Sequence, residues 1–506
     1  MKISFLKISR RILFFSIFFF FFNSLVFANA QNTFYISEGI KRSYTEITNL
    51  RLNKAQAILD ELKKTEPENM MIYHIENYID FYRIFINENY NEYLKLEENS
   101  KKRLKKIESG NKNSPYYRFS QAEIKLQWAL VRLKFEEYFT AVGEIKNAYD
   151  LLTENEKLFP DFYLNKKSLS AIHAMVGTLP DSYKSLLSFL GGMNGSIKMG
   201  SKEIAETILK CEKDNCMFRD ESYAIASFIA LFLENNQVKA WDLISKADLD
   251  IKNSPLACFV KSNIASKTGR NDEAIEILLH RPNSKDRLQF YYLDYMLGRS
   301  KLNRLDADSD LYLKMFINNF NGVNYIKDAY LKLAWHELVI DNNISLYKKY
   351  IAKTIDSGHS LVDEDKSALI EAKNKSLPNI VLLKSRLLFD GAYYLKAYNL
   401  LELNKKEFIQ DDSKDFLEYN YRMGRIMQMM NKNSEALRRF KITIDTNKKY
   451  DSYFACNSAL QSGIIFENMS DKKNAKKYYN LCLDISPSEY KSSLHQKAKA
   501  GLLRIK

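Results

Sequence analysis

Six histidines (His74, His173, His280, His336, His359 and His495) are the residues best suited to proton transfer or metal binding in this chain. They are scattered: none has a second histidine four positions away on a shared helix face, and no His-Glu-x-x-His zinc pattern occurs. No Gly-x-Ser-x-Gly turn offers an activated serine. Adjacent carboxylates such as Glu136-Glu137 and Asp411-Asp412 are what charged helix surfaces and turns ordinarily contain. Gly191-Gly192-Met193-Asn194-Gly195 is not a phosphate-binding loop, since no strand precedes it and no Lys-Ser/Thr pair closes it. The five cysteines (Cys211, Cys216, Cys258, Cys456 and Cys482) are too few for a disulfide-built fold of this length. Cys211 and Cys216 are close enough in sequence to pair in an oxidising compartment, and no histidine lies near them to complete a metal site. No catalytic constellation, cofactor or metal is expected.

The pattern that does stand out is made of small and large apolar residues, and it requires helices. Only eight prolines and sixteen glycines punctuate 506 residues, and apolar residues recur every three to four positions. The breaks at Glu66-Pro67-Glu68-Asn69, Ser114-Pro115, Lys252-Asn253-Ser254-Pro255 and Ser376-Leu377-Pro378 each read as a helix stop followed by a new start. From Leu417 to Pro487 two helix pairs lie end to end. With Leu417 as position one of a 34-residue unit, Gly424 stands at position 8, Met427 at 11, Ala436 at 20 and Phe440 at 24. Counted from Cys456, Gly463, Phe466, Ala475, Tyr479 and Pro487 fall at positions 8, 11, 20, 24 and 32. Small residues at 8 and 20 let two helices approach closely. Large ones at 11 and 24 fill the space between successive pairs, and Pro487 ends the second helix.

This arrangement is similar to the tetratricopeptide repeat. The resemblance implies an all-α fold in which antiparallel helix pairs stack into an α-solenoid that binds other proteins. The same template places Ala55 at position 20 with Ser43 at 8, Leu59 at 24 and Pro67 at 32. It places Ala141 there with Trp128, Ala129, Ile145 and Ala148 around it. Ala240 and Ala274 are 34 residues apart, followed by Ile244 and Leu278, although Phe228 stands where the first of these needs a small residue. Ala397, with Pro378 and Ser385 upstream, extends the series, and Ala397, Ala436 and Ala475 recur every 39 residues. That longer period calls for longer helices or turns. Degenerate copies centre on Gly298 and Ala334, and Cys258 and Cys482 fall at core positions.

The first thirty residues are set apart from the fold. Lys2, Lys7, Arg10 and Arg11 precede an apolar run from Ile12 to Phe22, and Ala28-Asn29-Ala30 supplies a cleavage site, the order of parts in a secretory signal peptide. The expected organisation is a signal peptide at 1–30, a helical-repeat region at 31–175, a glycine-rich interruption at 176–201 and a second repeat region at 202–506. The interruption, with Gly177, Gly191, Gly192, Gly195 and Gly200, is the natural boundary, a hinge or a groove-facing loop. The basic run from Lys101 to Lys106 reads as a solvated helix end. The mature protein is expected to be periplasmic or secreted, with peripheral association with a membrane as the alternative.

In tetratricopeptide repeats the side chains at positions 2, 5, 9, 12 and 13 face the concave groove. The resemblance therefore implies Glu418, Tyr421, Arg425, Gln428 and Met429 as groove residues of one repeat, and Asn457, Leu460, Ile464, Glu467 and Asn468 of the next. The function this implies is a non-catalytic scaffold of the cell envelope that binds an envelope protein or peptide segment. Charge supplies a second reading. The chain carries +14, and from Leu417 to Lys506 there are 17 Lys and Arg against 8 Asp and Glu, so this segment is drawn to anionic lipid or glycan. Nucleic acid is a poor partner outside the cytoplasm. A third reading is a cell-wall or glycan-active enzyme. Glu221-Ser222 and Glu108-Ser109 resemble part of a lytic transglycosylase motif, but no Gly-Leu-Met-Gln segment follows either. The glycan-binding lipoproteins of SusD type need a cysteine just after the signal peptide, where Gln31 stands instead.

Overall fold

The computed structural model describes residues 32–176, 192–374, 376–409, 413–446 and 452–505. Residues 1–31, which include the segment expected to be a signal peptide, and residues 177–191 of the glycine-rich stretch lie outside the described residues. Among the described residues the fold is helical, with a single isolated bridge between Thr33 and Asn69. Two compact units are present, one of residues 32–47, 51–82 and 91–168, the other of 48–50, 83–90 and the described residues from 169 onward. The main division falls between Ser168 and Leu169, ahead of the glycine-rich stretch.

The first unit is built from α1 (Glu38–Thr48), α2 (Leu52–Thr65), α3 (Met71–Asn87), α4 (Tyr90–Glu108), α5 (Pro115–Lys134), α6 (Tyr138–Leu158) and the start of α7 (Leu164–Val176). The repeat pattern is visible in its packing. The Ser43 hydroxyl donates to the Ala55 carbonyl at 3.2 Å, and Trp128, Ala129, Ala141 and Ala148 are buried where α5 meets α6. Ser114 caps α5 through its side chain, with Pro115 in the first turn. The basic run on α4 is not wholly solvated. Arg103 is 7% exposed and bridges Glu76 at 3.2 Å and Asp80 at 2.7 Å, because these acids lie one turn apart on the facing side of α3. Lys167 is also buried, its ammonium 2.7 Å from Glu123, which also accepts from the Ser168 hydroxyl. At both places a cation and a carboxylate are removed from water together.

The second unit continues with α8 (Ile197–Lys213), α9 (Arg219–Phe228), α10 (Gln237–Lys246), α11 (Pro255–Lys267), α12 (Asn271–Leu279), α13 (Tyr292–Arg304), α14 (Ser309–Asn319), α15 (Ile326–Val339) and α16 (Ile344–Asp356). It ends with α17 (Asp363–Lys373), α18 (Ile380–Asp390), α19 (Tyr394–Leu403), α20 (Lys414–Met429), α21 (Asn433–Thr446), α22 (Phe454–Asn468), α23 (Lys472–Asp484) and α24 (Lys491–Arg504). Consecutive helices pack as antiparallel pairs, and each pair packs on the next. The core is accordingly a series of local clusters that follow the chain, from Ile204–Ile264 through Ile275–Leu333 and Leu382–Ile465 to Cys456–Ala498. This is the stacked α-solenoid that the repeat pattern implies.

The position-8 glycines sit where the template requires contact. A Cβ at Gly424 would lie 2.7 Å from the Phe440 ring, and one at Gly463 would lie 2.6 Å from the Tyr479 ring. Ala240, Ala274, Ala397, Ala436 and Ala475 are all fully buried. The turn inside each pair repeats too. Gly269, Leu305, Ala392, Asn431 and Ser470 all take positive φ, and the next residue's N–H bonds to the carbonyl five residues back, as Lys432 does to Met427 at 2.9 Å. Phe228 is explained by a π-turn at Ile229–Leu233, which inserts one residue before Ala240 and makes Ser227, fully buried, the small contact residue.

Three further features bear on the sequence reading. Cys211 and Cys216 are joined as a disulfide. The described end of the glycine-rich stretch packs closely: a Cβ at Gly195 would lie 2.5 Å from the His173 carbonyl, and one at Gly200 would overlap that of Ser170. Helix α17 is an addition to the paired pattern, packed on α15 and α16. Its Asp365 accepts from the Tyr325 and Asp328 N–H groups at 2.6 and 3.0 Å, so it caps α15 from outside.

Candidate functional site

The second unit holds a cleft of about 650 Å³ formed where α18, α20, α22 and α24 begin and α17 runs alongside. Helical spacing explains the α17 wall: Asp363, Lys366, Ser367, Ile370, Glu371 and Asn374 recur every three to four residues and all line the cleft. The other walls come from the starts of the remaining helices. Asn379 caps α18 by accepting from Val381 and Leu382 N–H, and Ser413 caps α20 by accepting from Phe416 N–H at 3.0 Å. Those caps set where Arg386, Lys414, Asp415, Glu418 and Arg422 project. Tyr453 with Phe454, and Tyr490 with Lys491, complete the lining.

The charges in this cleft are ordered. Arg386 donates to Glu371 at 2.9 Å and lies 4.5 Å over the Trp335 ring, while the Trp335 indole donates to the other Glu371 oxygen at 2.9 Å. Lys332 covers the same indole at 3.7 Å. Arg422 pairs with Glu418, one turn away on α20, with Nε 2.7 Å from the carboxylate. Burial pushes the Tyr453 hydroxyl well above its ordinary range, the neighbouring Tyr421 adding to the shift, and burial raises Tyr490 as well. These phenols therefore stay neutral at any physiological pH and act as hydrogen-bonding and apolar surface. The lining combines five cations (Lys366, Arg386, Lys414, Arg422 and Lys491) with five acids (Asp363, Glu371, Asp415, Glu418 and Glu489), so it presents no single sign of charge. Among the described residues no group of His, Cys, Asp and Glu is placed to hold a metal ion.

The groove residues expected from the repeat resemblance are placed differently from one another. Glu418 lines the cleft. Tyr421 is 5% exposed, stacked on Phe454 at 4.7 Å, and its hydroxyl accepts from Asn457 at 2.7 Å and Arg425 at 3.4 Å. Asn457 is buried beside it; Gln428 donates to Gln461 at 3.0 Å, and Gln461 donates to Asn457 at 3.0 Å. These side chains form a ladder that ties α20 to α22. Arg425 lies 5.1 Å over the Phe389 ring. Glu467 accepts from the Tyr479 hydroxyl and from Arg504 at 2.7 Å, joining α22 to α23 and α24. Met429 and Asn468 are exposed, Leu460 is buried and Ile464 is half-buried. The residues that sequence reasoning missed are the α17 face, Arg386, Arg422, Tyr453 and Tyr490. Arg422 carried a usable signal, since it stands four residues after Glu418.

Residues 458–489 match the tetratricopeptide repeat family. The chain carries a tetratricopeptide repeat. That match covers α22 from Ser458 together with α23, where the sequence pattern is strongest. No curated protein matches the sequence. Among solved structures, the chain is similar to the Naa15/Naa10 complex bound to HypK-THB at 14% identity and a TM-score of 0.23. The similarity covers 92% of this chain, which spans 65% of the length of the chain it matches.

Proposed function

We propose that this protein is a non-catalytic scaffold of the cell envelope that binds another envelope protein, holding a peptide segment of that partner in the cleft between α17 and the starts of α18, α20, α22 and α24. The observation that carries this reading is the lining itself. Neutral phenols and paired charges of both signs, on rigid helices of successive repeats, suit a polypeptide better than a small charged metabolite. The cleft carboxylates Glu371 and Glu418 are each held by an arginine, which suits recognition through exchange of ion pairs rather than proton transfer. Export rests on the signal-peptide pattern of the first thirty residues. The test is crosslinked co-purification of the mature chain from its own envelope fraction, washed at low and high salt. One stoichiometric protein retained at high salt supports the reading. Loss of every protein at both salts refutes it.

One observation favours a second reading, a peripheral contact with anionic lipid or glycan. Lys472, Lys473, Lys476 and Lys477 all project as exposed side chains from α23, around the buried Ala475 and Tyr479. Binding to vesicles containing phosphatidylglycerol, lost on raising the salt and lost when the four lysines are changed to glutamine, supports it. Equal binding to neutral vesicles refutes it.

A further inference from the structure

Two cysteines that the scaffold reading does not use lie against each other across a repeat. Cys456 is in the first turn of α22 and Cys482 in the last turn of α23, and antiparallel pairing brings these two ends together. Their sulfurs are 3.6 Å apart and both residues are fully buried. A disulfide needs the sulfurs at about 2.05 Å, so closure asks for a shift of about 1.6 Å, within reach of a side-chain rotation at a helix end. The third thiol supplies a contrast. Cys258 is buried, donates to the Ile251 carbonyl at 3.1 Å, and burial pushes its thiol up to about 11.

We propose that Cys456 and Cys482 are an oxidation site, closed to a disulfide by a small peroxide, that staples α22 to α23. A peroxide is the oxidant class that fits, because it is small enough to reach sulfurs that a protein disulfide carrier cannot touch. Cys456 is the first nucleophile, since the hydrogen bond from Cys482 holds it below the ordinary thiol range and pushes Cys482 up. The Cys456 thiolate attacks one peroxide oxygen and the O–O bond breaks. The departing hydroxide takes up the proton that Cys456 released on becoming a thiolate and leaves as water, and Cys456 is left as a sulfenic acid. The Cys482 sulfur then attacks the Cys456 sulfur, the S–O bond breaks, and the hydroxide leaves with the Cys482 proton as a second water. Two thiols and one peroxide become one disulfide and two waters. Tyr453 and Phe454, which wall the cleft, lie three and two residues before Cys456 at the same end of α22, so the bond pins that wall to its supporting helix.

The full chain is exposed to hydrogen peroxide, unfolded in guanidinium chloride with iodoacetamide and no reductant, digested and read by mass spectrometry. The expected result is alkylated Cys258 with the Cys456 and Cys482 peptides joined to each other. Recovery of both alkylated, both as separate sulfinic acids, or either joined to Cys258 overturns the proposal. Thermal unfolding gives an independent readout. Peroxide should raise the Tm of the wild-type chain by about 5 °C and leave Cys482→Ala unchanged, whereas equal shifts in both overturn the staple. The peptide result on the wild-type chain decides the matter even where that variant does not fold.

Discussion

Gly463→Ala tests the repeat register by the sign of its effect. In an open helix the change stabilises by about 1 kcal/mol, because alanine has the better helix propensity. Here the new Cβ would lie 2.6 Å from Cδ1 and Cε1 of Tyr479, well inside the 3.5–4.0 Å of ordinary contact. The ring cannot retreat, since Gly501 abuts its far edge and Tyr479 is fully buried. Helix α23 must therefore move, and overpacking of this kind costs about 3 kcal/mol. Subtracting the propensity gain leaves a net loss of about 2 kcal/mol, or a Tm fall of about 3 °C for a unit of this size. Gly143→Ala is the control, because nothing lies within 4 Å of a Cβ there, and it should stabilise by about 1 kcal/mol. Urea titration with an unchanged m-value measures both. A Gly463→Ala protein as stable as the control would refute the contact between positions 8 and 24.

Two further outcomes follow from buried charge. Lys167→Met leaves the Glu123 carboxylate buried without its cation and should destabilise by about 3–5 kcal/mol in urea; a loss under about 1 kcal/mol would show that the pair is not desolvated. Asp365, fully buried, is pushed up to about 7 by burial, against the lowering effect of the two N–H groups it accepts. Its folded pKa exceeds the unfolded value of about 3.9, so the folded state binds the proton more tightly. Stability is therefore greatest below about pH 4 and falls as pH rises through about 7, by at most about 4 kcal/mol. Asp365→Asn should lose this dependence and gain on the wild type between about pH 4 and 8 in denaturant titrations; a pH-independent difference between the two would refute the assignment.

The solenoid was legible because its determinants are local: a small residue at 8, another at 20 and a large ring at 24 meet within one helix pair, as Gly463, Ala475 and Tyr479 do. Where the backbone inserts a residue, as in the π-turn after Phe228, spacing alone misplaces the small position by one. Arg103 reads as a surface residue because its partners Glu76 and Asp80 come from another helix and show no pattern with it in sequence. The cleft was half legible. Adjacent positions on a helix differ by about 100° in direction, so Glu418 and Arg422 line the wall while Tyr421 turns inward onto Phe454. The α17 wall was hidden because that helix belongs to no repeat.

The most direct test of the scaffold account is site-specific photo-crosslinking of the full chain in its own cells. A benzophenone amino acid is placed at Lys366 or Lys414 in the cleft and, for comparison, at Lys473 on the outer face of α23. A scaffold that holds its partner in the cleft gives one discrete protein adduct from the two cleft positions, absent from Lys473 and lost when Glu418→Arg is added. Adducts from Lys473 alone, or cleft adducts indifferent to Glu418→Arg, would contradict it.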